Sequence, residues 1–133
     1  MKRFDIAIAL IWRDGKVLVT KRRDDADHLP GLWEFPGGKC HEDEPPEACA
    51  IREAREEVGV EVETTGPHPP IEFTYPERHV TLHPFDCTII AGEPQPLQAA
   101  ALRWLTPDEL RPDEFPLANR ELIAEIKRAA GNR

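Results

Sequence analysis

The segment EPPEACAIREAREEVG, Glu44 to Gly59, restricts what this chain can fold into more than any other. Pro45 and Pro46 suit the first turn of a helix, where a missing N–H removes no bond. Ala48 to Val58 then runs without a helix breaker, and Gly59 stands where a left-handed C-terminal stop belongs. On a helix advancing about 100° per residue, Glu57 lies about 40° to one side of Glu53 and Glu56 about 60° to the other. Ile51, Ala54 and Val58 gather on the opposite face, which must be covered by a sheet. Arg52, one turn before Glu56, is placed to orient that carboxylate by an ion pair. Such spacing of charges, taken alone, also describes a solvated helix surface. Three carboxylates on one face repel one another, whereas a hard cation such as Mg²⁺ draws them together.

The flanking segments supply the sheet. Phe4 to Trp12 and Lys16 to Thr20 are apolar, β-branched runs around Arg13-Asp14-Gly15, which predicts an antiparallel hairpin. A polar loop, Arg22 to Gly31, precedes the short stretch LWEF and a predicted glycine turn at Pro36-Gly37-Gly38. Val60 to Thr64 reads as a strand, Gly66 to Pro70 as a break, and Ile71 to Tyr75 with His79 to Ile90 as a second strand pair. Ala100 to Leu105 predicts a final strand. Thr106-Pro107-Asp108-Glu109 has the form of a capping box, and Leu122, Ile123, Ile126 and Ala130 recur at helical spacing after it. No repeat, linker or low-complexity stretch divides residues 1–133, so a single domain is expected. One mixed sheet with helices packed on it, an α+β sandwich, is the architecture this order predicts.

Composition excludes several classes of function. The formal net charge of −8, from 17 basic and 25 acidic residues, opposes a general grip on nucleic-acid backbone. It permits a polyphosphate if divalent cations stand between carboxylates and phosphates. Met1 to Trp12 briefly imitates a signal peptide, but Asp5 interrupts it and no small-residue cleavage site follows. No segment approaches the roughly 20 apolar residues that span a membrane. Cys40, Cys49 and Cys87 are odd in number and lack Cys-x-x-Cys spacing, which suits a reducing cytoplasm.

Gly37-Gly38-Lys39 precedes the loop that feeds the helix, and glycines let main-chain groups approach a ligand closely. From Gly38 to Val60 the chain reads GKCHEDEPPEACAIREAREEVGV. This string resembles the Nudix hydrolase family, whose box G-x5-E-x7-R-E-U-x-E-E-x-G-U it matches at every fixed position. LWEFPGGK before the box, YPERHVTL after it and DEFPLAN near the C-terminus look like the MutT branch, which hydrolyses oxidised purine nucleoside triphosphates. The resemblance implies a Nudix-type α/β/α sandwich, with Mg²⁺ or Mn²⁺ as cofactor. It implies that water attacks an internal phosphorus, releasing a nucleoside monophosphate and pyrophosphate, with 8-oxo-dGTP as the favoured substrate. It further implies Glu56 and Glu57 as metal ligands, with the Gly38 carbonyl as an additional one, and Glu53 as a ligand or the base that deprotonates water. Glu44 then orients Arg52 and the loop. In MutT-like proteins a glutamate lies about six residues before the tryptophan of the last strand; here Gln98 stands at that distance from Trp104. An amide cannot take a proton, which shifts the base role towards Glu53.

Substrate contacts follow from the same resemblance. Arg23 and Lys39 are expected to reach the nucleotide, and Asn119 to face the base unless it only caps the last helix. Arg78 is expected either to contact the nucleotide or to dress a hairpin end. Of Trp33 and Phe35, one is expected in the core and the other, Phe35, at the pocket. Two alternatives remain open: a relative acting on CTP or modified dCTP, and a non-catalytic Nudix module that reads oxidised guanine in DNA. The expected partner is a small-molecule nucleotide, with no stable nucleic-acid or membrane binding, on a monomer or homodimer.

Overall fold

The computed structural model describes residues 1–24 and 31–131; Asp25 to Pro30, most of the expected polar loop, lie outside the described residues. Strands β1 (Lys2–Arg13) and β2 (Lys16–Lys21) form the predicted hairpin, with Trp12 opposite Val17 and Arg13 opposite Lys16. Asp14 and Gly15 have φ of 53° and 77°. Two left-handed residues in succession match the twist of a hairpin closed by a two-residue turn.

β1 organises the rest. It runs parallel to β7 (Arg78–Ala91), from Lys2 opposite Arg78 to Ile11 opposite Cys87. β7 also pairs antiparallel with β5 (Glu61–Pro67) and β6 (Ile71–Thr74). β2 pairs antiparallel with β3 (Trp33–Glu34) and with β8 (Ala101–Leu105). The sheet is therefore mixed, and it is covered on both sides. Ala7, Ala9 and Ile11 pack with Cys49, Ala50, Ala54 and Val58 of helix α1 (Pro46–Val58). Ile8 and Leu10 belong to the opposite core, with Leu122, Ile123 and Ile126 of helix α2 (Arg120–Gly131). Alternation of side chains along a strand explains why β1 reads as one continuous apolar run: each face has its own helix. The predicted α+β order is thus realised as an α/β/α sandwich.

Helix α1 begins and ends as its sequence requires. Pro45 is the N-cap in extended conformation, Pro46 is the first helical residue, and Gly59 closes the helix at φ 72° with its N–H donated to the Arg55 carbonyl at 3.0 Å. Small residues line both sides of the α1–sheet contact, which brings the helix backbone close to the strands beneath it.

Two expectations are corrected. Pro36-Gly37-Gly38 does not form a turn: Gly37–Lys39 is strand β4, antiparallel to β1, with Gly37 opposite Ile8 and Gly38 opposite Ala7. Glycine is needed here for room, since a Cβ on Gly37 would lie 2.3 Å from the Ala7 carbonyl oxygen. The Thr106 capping box forms, with Glu109 accepting from the Thr106 N–H at 2.9 Å, but it heads a 3-10 turn, Pro107–Glu109, and not the last helix. Pro112 and Pro116 lack the N–H that would continue a helix, so the segment divides into short 3-10 turns before α2. Trp33 stands in the core and Phe35 lines the pocket, as expected, although residues two apart on an extended chain share a face. Both lie in the core on the α2 side, and Phe35 also reaches the wall of the cleft described below.

Gly37→Ala is expected to lower stability by about 3 kcal/mol or more, at the upper end of overpacking costs, because the clash is with backbone. Gly66→Ala, where an added Cβ meets nothing within 4 Å, should leave the urea midpoint nearly unchanged. Equilibrium urea unfolding of the two variants checks this.

Candidate active site

A cleft of about 510 Å³ opens where β4 and α1 meet the β6–β7 hairpin and the turn before α2. Its side chains fall into two groups. Glu34, Glu53, Glu57, Gly37 and Gly38 make an acidic end, and Phe35, Tyr75, Arg78, Val80, Leu82 and Asn119 make an apolar end with polar edges. Arg23, Lys39 and Gln98 also line the cleft.

The acidic end is built by the close contact of α1 with β4. Glu57 is buried, and its Oε2 accepts the Gly37 N–H at 2.6 Å. Glu53 faces Gly38 so closely that a Cβ there would lie 2.6 Å from the carboxyl carbon. Burial, followed by the neighbouring Glu34 carboxylate, pushes the Glu57 carboxyl up to about 8, against the downward pull of the Gly37 N–H. Burial also raises the Glu53 and Glu34 carboxyls, offset in part by Arg52 and by Arg22 respectively.

Arg52 ties this end together. Its Nε donates to Glu44 at 2.8 Å, its Nη1 to Glu53 and Glu56 at 2.9 Å each, and its Nη2 to the Lys39 carbonyl at 3.2 Å. The Arg52 guanidinium and the His41 N–H hold the Glu44 carboxyl down at about 2. Glu44 orients Arg52, as the resemblance implied. On the far side, Arg22 Nη1 donates to both Glu34 oxygens at 3.3 Å, while its buried Nε has no hydrogen-bond partner among the described residues.

The structure places the expected residues unevenly. Arg23, Phe35, Gly38, Lys39, Glu53, Glu57, Arg78 and Asn119 all line the cleft. Glu56 does not: its exposed carboxylate turns to Arg52 on the outer edge of α1. Glu34 and Arg22 were missed by sequence reasoning. Alternation in Trp33-Glu34-Phe35 carried the signal, because two core aromatics send the glutamate between them to the other face. Gln98 is brought in by the loop before β8, whose Leu97 and Gln95 N–H groups cap the Glu57 and Val58 carbonyls at the end of α1. Among the described residues, no three acidic, imidazole or thiol side chains converge on one point as a complete metal cage. The donors present nevertheless suit a hard divalent cation: carboxylate oxygens, raised towards protonation by burial, beside the Gly38 carbonyl. Cys49, whose Sγ donates to that carbonyl at 3.6 Å, is a thiol that burial keeps protonated.

A family model for the NUDIX domain matches residues 7–125. The 8-oxo-dGTP diphosphatase of Escherichia coli (strain K12) is 35% identical over 129 residues, covering 96% of this chain and 99% of that protein. The CTP pyrophosphohydrolase of the same organism is 33% identical over 138 residues, covering 98% and 99%. Among solved structures, that of the E. coli ORF135 protein superposes with a TM-score of 0.84 at 30% identity, covering 100% of this chain and 94% of that one. MutT NUDIX hydrolase from Burkholderia pseudomallei gives 0.82 at 26% identity, covering 93% and 98%. With its box helix seated on the glycine strand, this chain belongs to the Nudix hydrolase family. It is an enzyme, a pyrophosphohydrolase of the MutT-like kind, in a family that generally uses a divalent metal.

A raised carboxylate pKa has a sign for stability. Glu57 binds its proton more tightly folded than unfolded, so its contribution is fully present below the unfolded carboxylate range and lost as pH rises through about 8. Chelator-treated protein is expected to show a falling Tm between pH 5 and 9, in which Glu57→Gln is flatter, and added divalent cation should restore the wild-type Tm at the alkaline end. Thermal scans across that range, with and without cation, check it.

Proposed function

We propose that this chain hydrolyses oxidised purine nucleoside triphosphates, 8-oxo-dGTP foremost, to the monophosphate and pyrophosphate with Mg²⁺ or Mn²⁺. The observation that carries the substrate is Asn119. It is buried and lines the cleft. A polar side chain on the wall of a largely apolar cleft is placed to bond a ligand there. Guanine presents O6 and N7 as two acceptors along one edge. Oxidation at C8 places a proton on N7, so the edge becomes one acceptor beside one donor. Asparagine offers one donor and one acceptor and meets that edge with both. Ordinary guanine would set two acceptors against each other.

Glu57 and the Gly38 carbonyl are the groups that would hold the cation, beside Glu53. Glu56 joins them from the family pattern, and would leave Arg52 to do so. A bound divalent cation neutralises polyphosphate charge and acidifies water. Glu53, made more basic by burial, takes the proton of the attacking water. Gln98, at the mouth of the same cleft, can orient a water by its amide but cannot accept the proton. Lys39 and Arg23 supply positive charge to the phosphates, and Phe35 and Arg78 bound the nucleotide. The free cysteines and the lack, among the described residues, of a helix long and apolar enough to cross a membrane are compatible with a cytoplasmic site of action.

A screen of triphosphates with Mg²⁺ and with Mn²⁺, with product identification, tests the reading. Release of pyrophosphate and monophosphate fastest from 8-oxo-dGTP is expected; fastest release from CTP would move the chain towards its CTP-hydrolysing relative, and no release would favour a binding module. Glu57→Gln is expected to lower turnover roughly a thousandfold while the protein stays folded. Glu53→Gln should cut turnover strongly and remove the acidic limb of the pH–rate profile, while Gln98→Ala changes turnover less than about tenfold. Asn119→Ala should reduce the preference for 8-oxo-dGTP over dGTP at least about tenfold in kcat/KM, or about 1.4 kcal/mol.

A further inference from the structure

Asn119 is buried at the cleft wall, and its direction follows from the backbone that carries it. That backbone is the 3-10 turn Leu117–Asn119, closed by the Asn119 N–H on the Pro116 carbonyl at 2.9 Å. The first N–H groups of any helical turn have no partner within it. Ala118 is such a position, only 4% exposed, and its N–H is taken by the Tyr75 hydroxyl at 3.2 Å. Tyr75 follows β6 on the opposite wall of the cleft, 43 residues away in the chain. Its ring is itself braced, edge-on to Phe73 with centroids 4.8 Å apart. On the other side of the turn, Phe115 packs on Phe35 at 5.3 Å. The turn is thus clamped between two walls, and the residue next to the Tyr75 bond is Asn119.

We infer that Tyr75 is a positioning residue for base selectivity: by accepting the Ala118 N–H, its hydroxyl fixes the turn that aims the Asn119 amide into the cleft. The inference rests on the base-reading role proposed for Asn119. Loss of the hydroxyl frees the turn, and a donor–acceptor pair that must meet both groups of an edge at once tolerates little angular drift. The acidic end, built on α1 and β4, is not part of the clamp.

Tyr75→Phe keeps the ring and removes only the hydroxyl. KM and kcat are measured for 8-oxo-dGTP and dGTP in wild type, Tyr75→Phe, Asn119→Ala and the double variant. Tyr75→Phe is expected to raise KM for 8-oxo-dGTP about five- to tenfold, change kcat less than about twofold, and lower the 8-oxo-dGTP to dGTP ratio accordingly. In the Asn119→Ala background it should change that ratio no further, because the two act as one unit. A ratio unchanged by Tyr75→Phe but collapsed by Asn119→Ala overturns the inference and spares the reading of Asn119. A ratio unchanged by Asn119→Ala overturns both. An additive loss in the double variant shows Tyr75 acting independently of Asn119 and also overturns it. Hydrogen exchange on the wild-type protein guards against a poorly folded variant: a slowly exchanging Ala118 amide is expected, and exchange at the open-loop rate would refute the clamp.

Discussion

The Gly37 N–H donates to a buried Glu57 carboxylate at 2.6 Å, across a strand–helix gap in which neither Gly37 nor Gly38 has a side chain. Much of the acidic end of the cleft depends on that approach. A Cβ on Gly37 would strike β1, and one on Gly38 would strike Glu53. Ala50 and Ala54 on α1, over Ala7 and Ala9 of β1, allow the helix to settle low enough for its carboxylates to reach the strand. The glycines of the box are therefore spatial requirements. Neither has a positive φ, and the conformational freedom of glycine is not what is used.

Close packing concentrates negative charge where water is excluded, and the structure answers from two sides. Arg52 divides its guanidinium among Glu44, Glu53 and Glu56, and Arg22 holds Glu34 through one Nη. A planar fork can serve several carboxylates at fixed angles, which an ammonium cannot. Glu57 has neither arginine as a direct partner, and its pKa is driven highest of the cluster's three carboxyls. The arginines hold the frame of the acidic end.

The other end of the cleft is assembled on different terms. Tyr75, Arg78 and Asn119 come from a hairpin and from a turn about forty residues later, bridged by the Tyr75 hydroxyl accepting the Ala118 N–H. Its wall contains no repeated spacing comparable to the glutamate helix. The two ends are built on different elements, so this wall can vary without changing the carboxylates.

What the sequence determined by itself is local and periodic. Asp14-Gly15 dictated the hairpin, Pro45-Pro46 and Gly59 bounded α1, and helical spacing put Glu53 and Glu57 on the side away from Ala54 and Val58. The box string identified the family, because its fixed residues recur at spacings that one helix and one glycine strand impose. Tertiary structure decided what periodicity cannot. Angular position on α1 made Glu56 equal to its neighbours, yet only Glu53 and Glu57 meet β4, and Glu56 is left to Arg52 at the surface. Glu34 entered the cluster from a strand whose face was set by Trp33 and Phe35 entering the core. Asn119 stands in a turn whose Ala118 N–H is bonded to the Tyr75 hydroxyl of a distant hairpin. Each of these outcomes depends on how far apart two distant segments come to rest, and spacing along a single chain carries no measure of that distance.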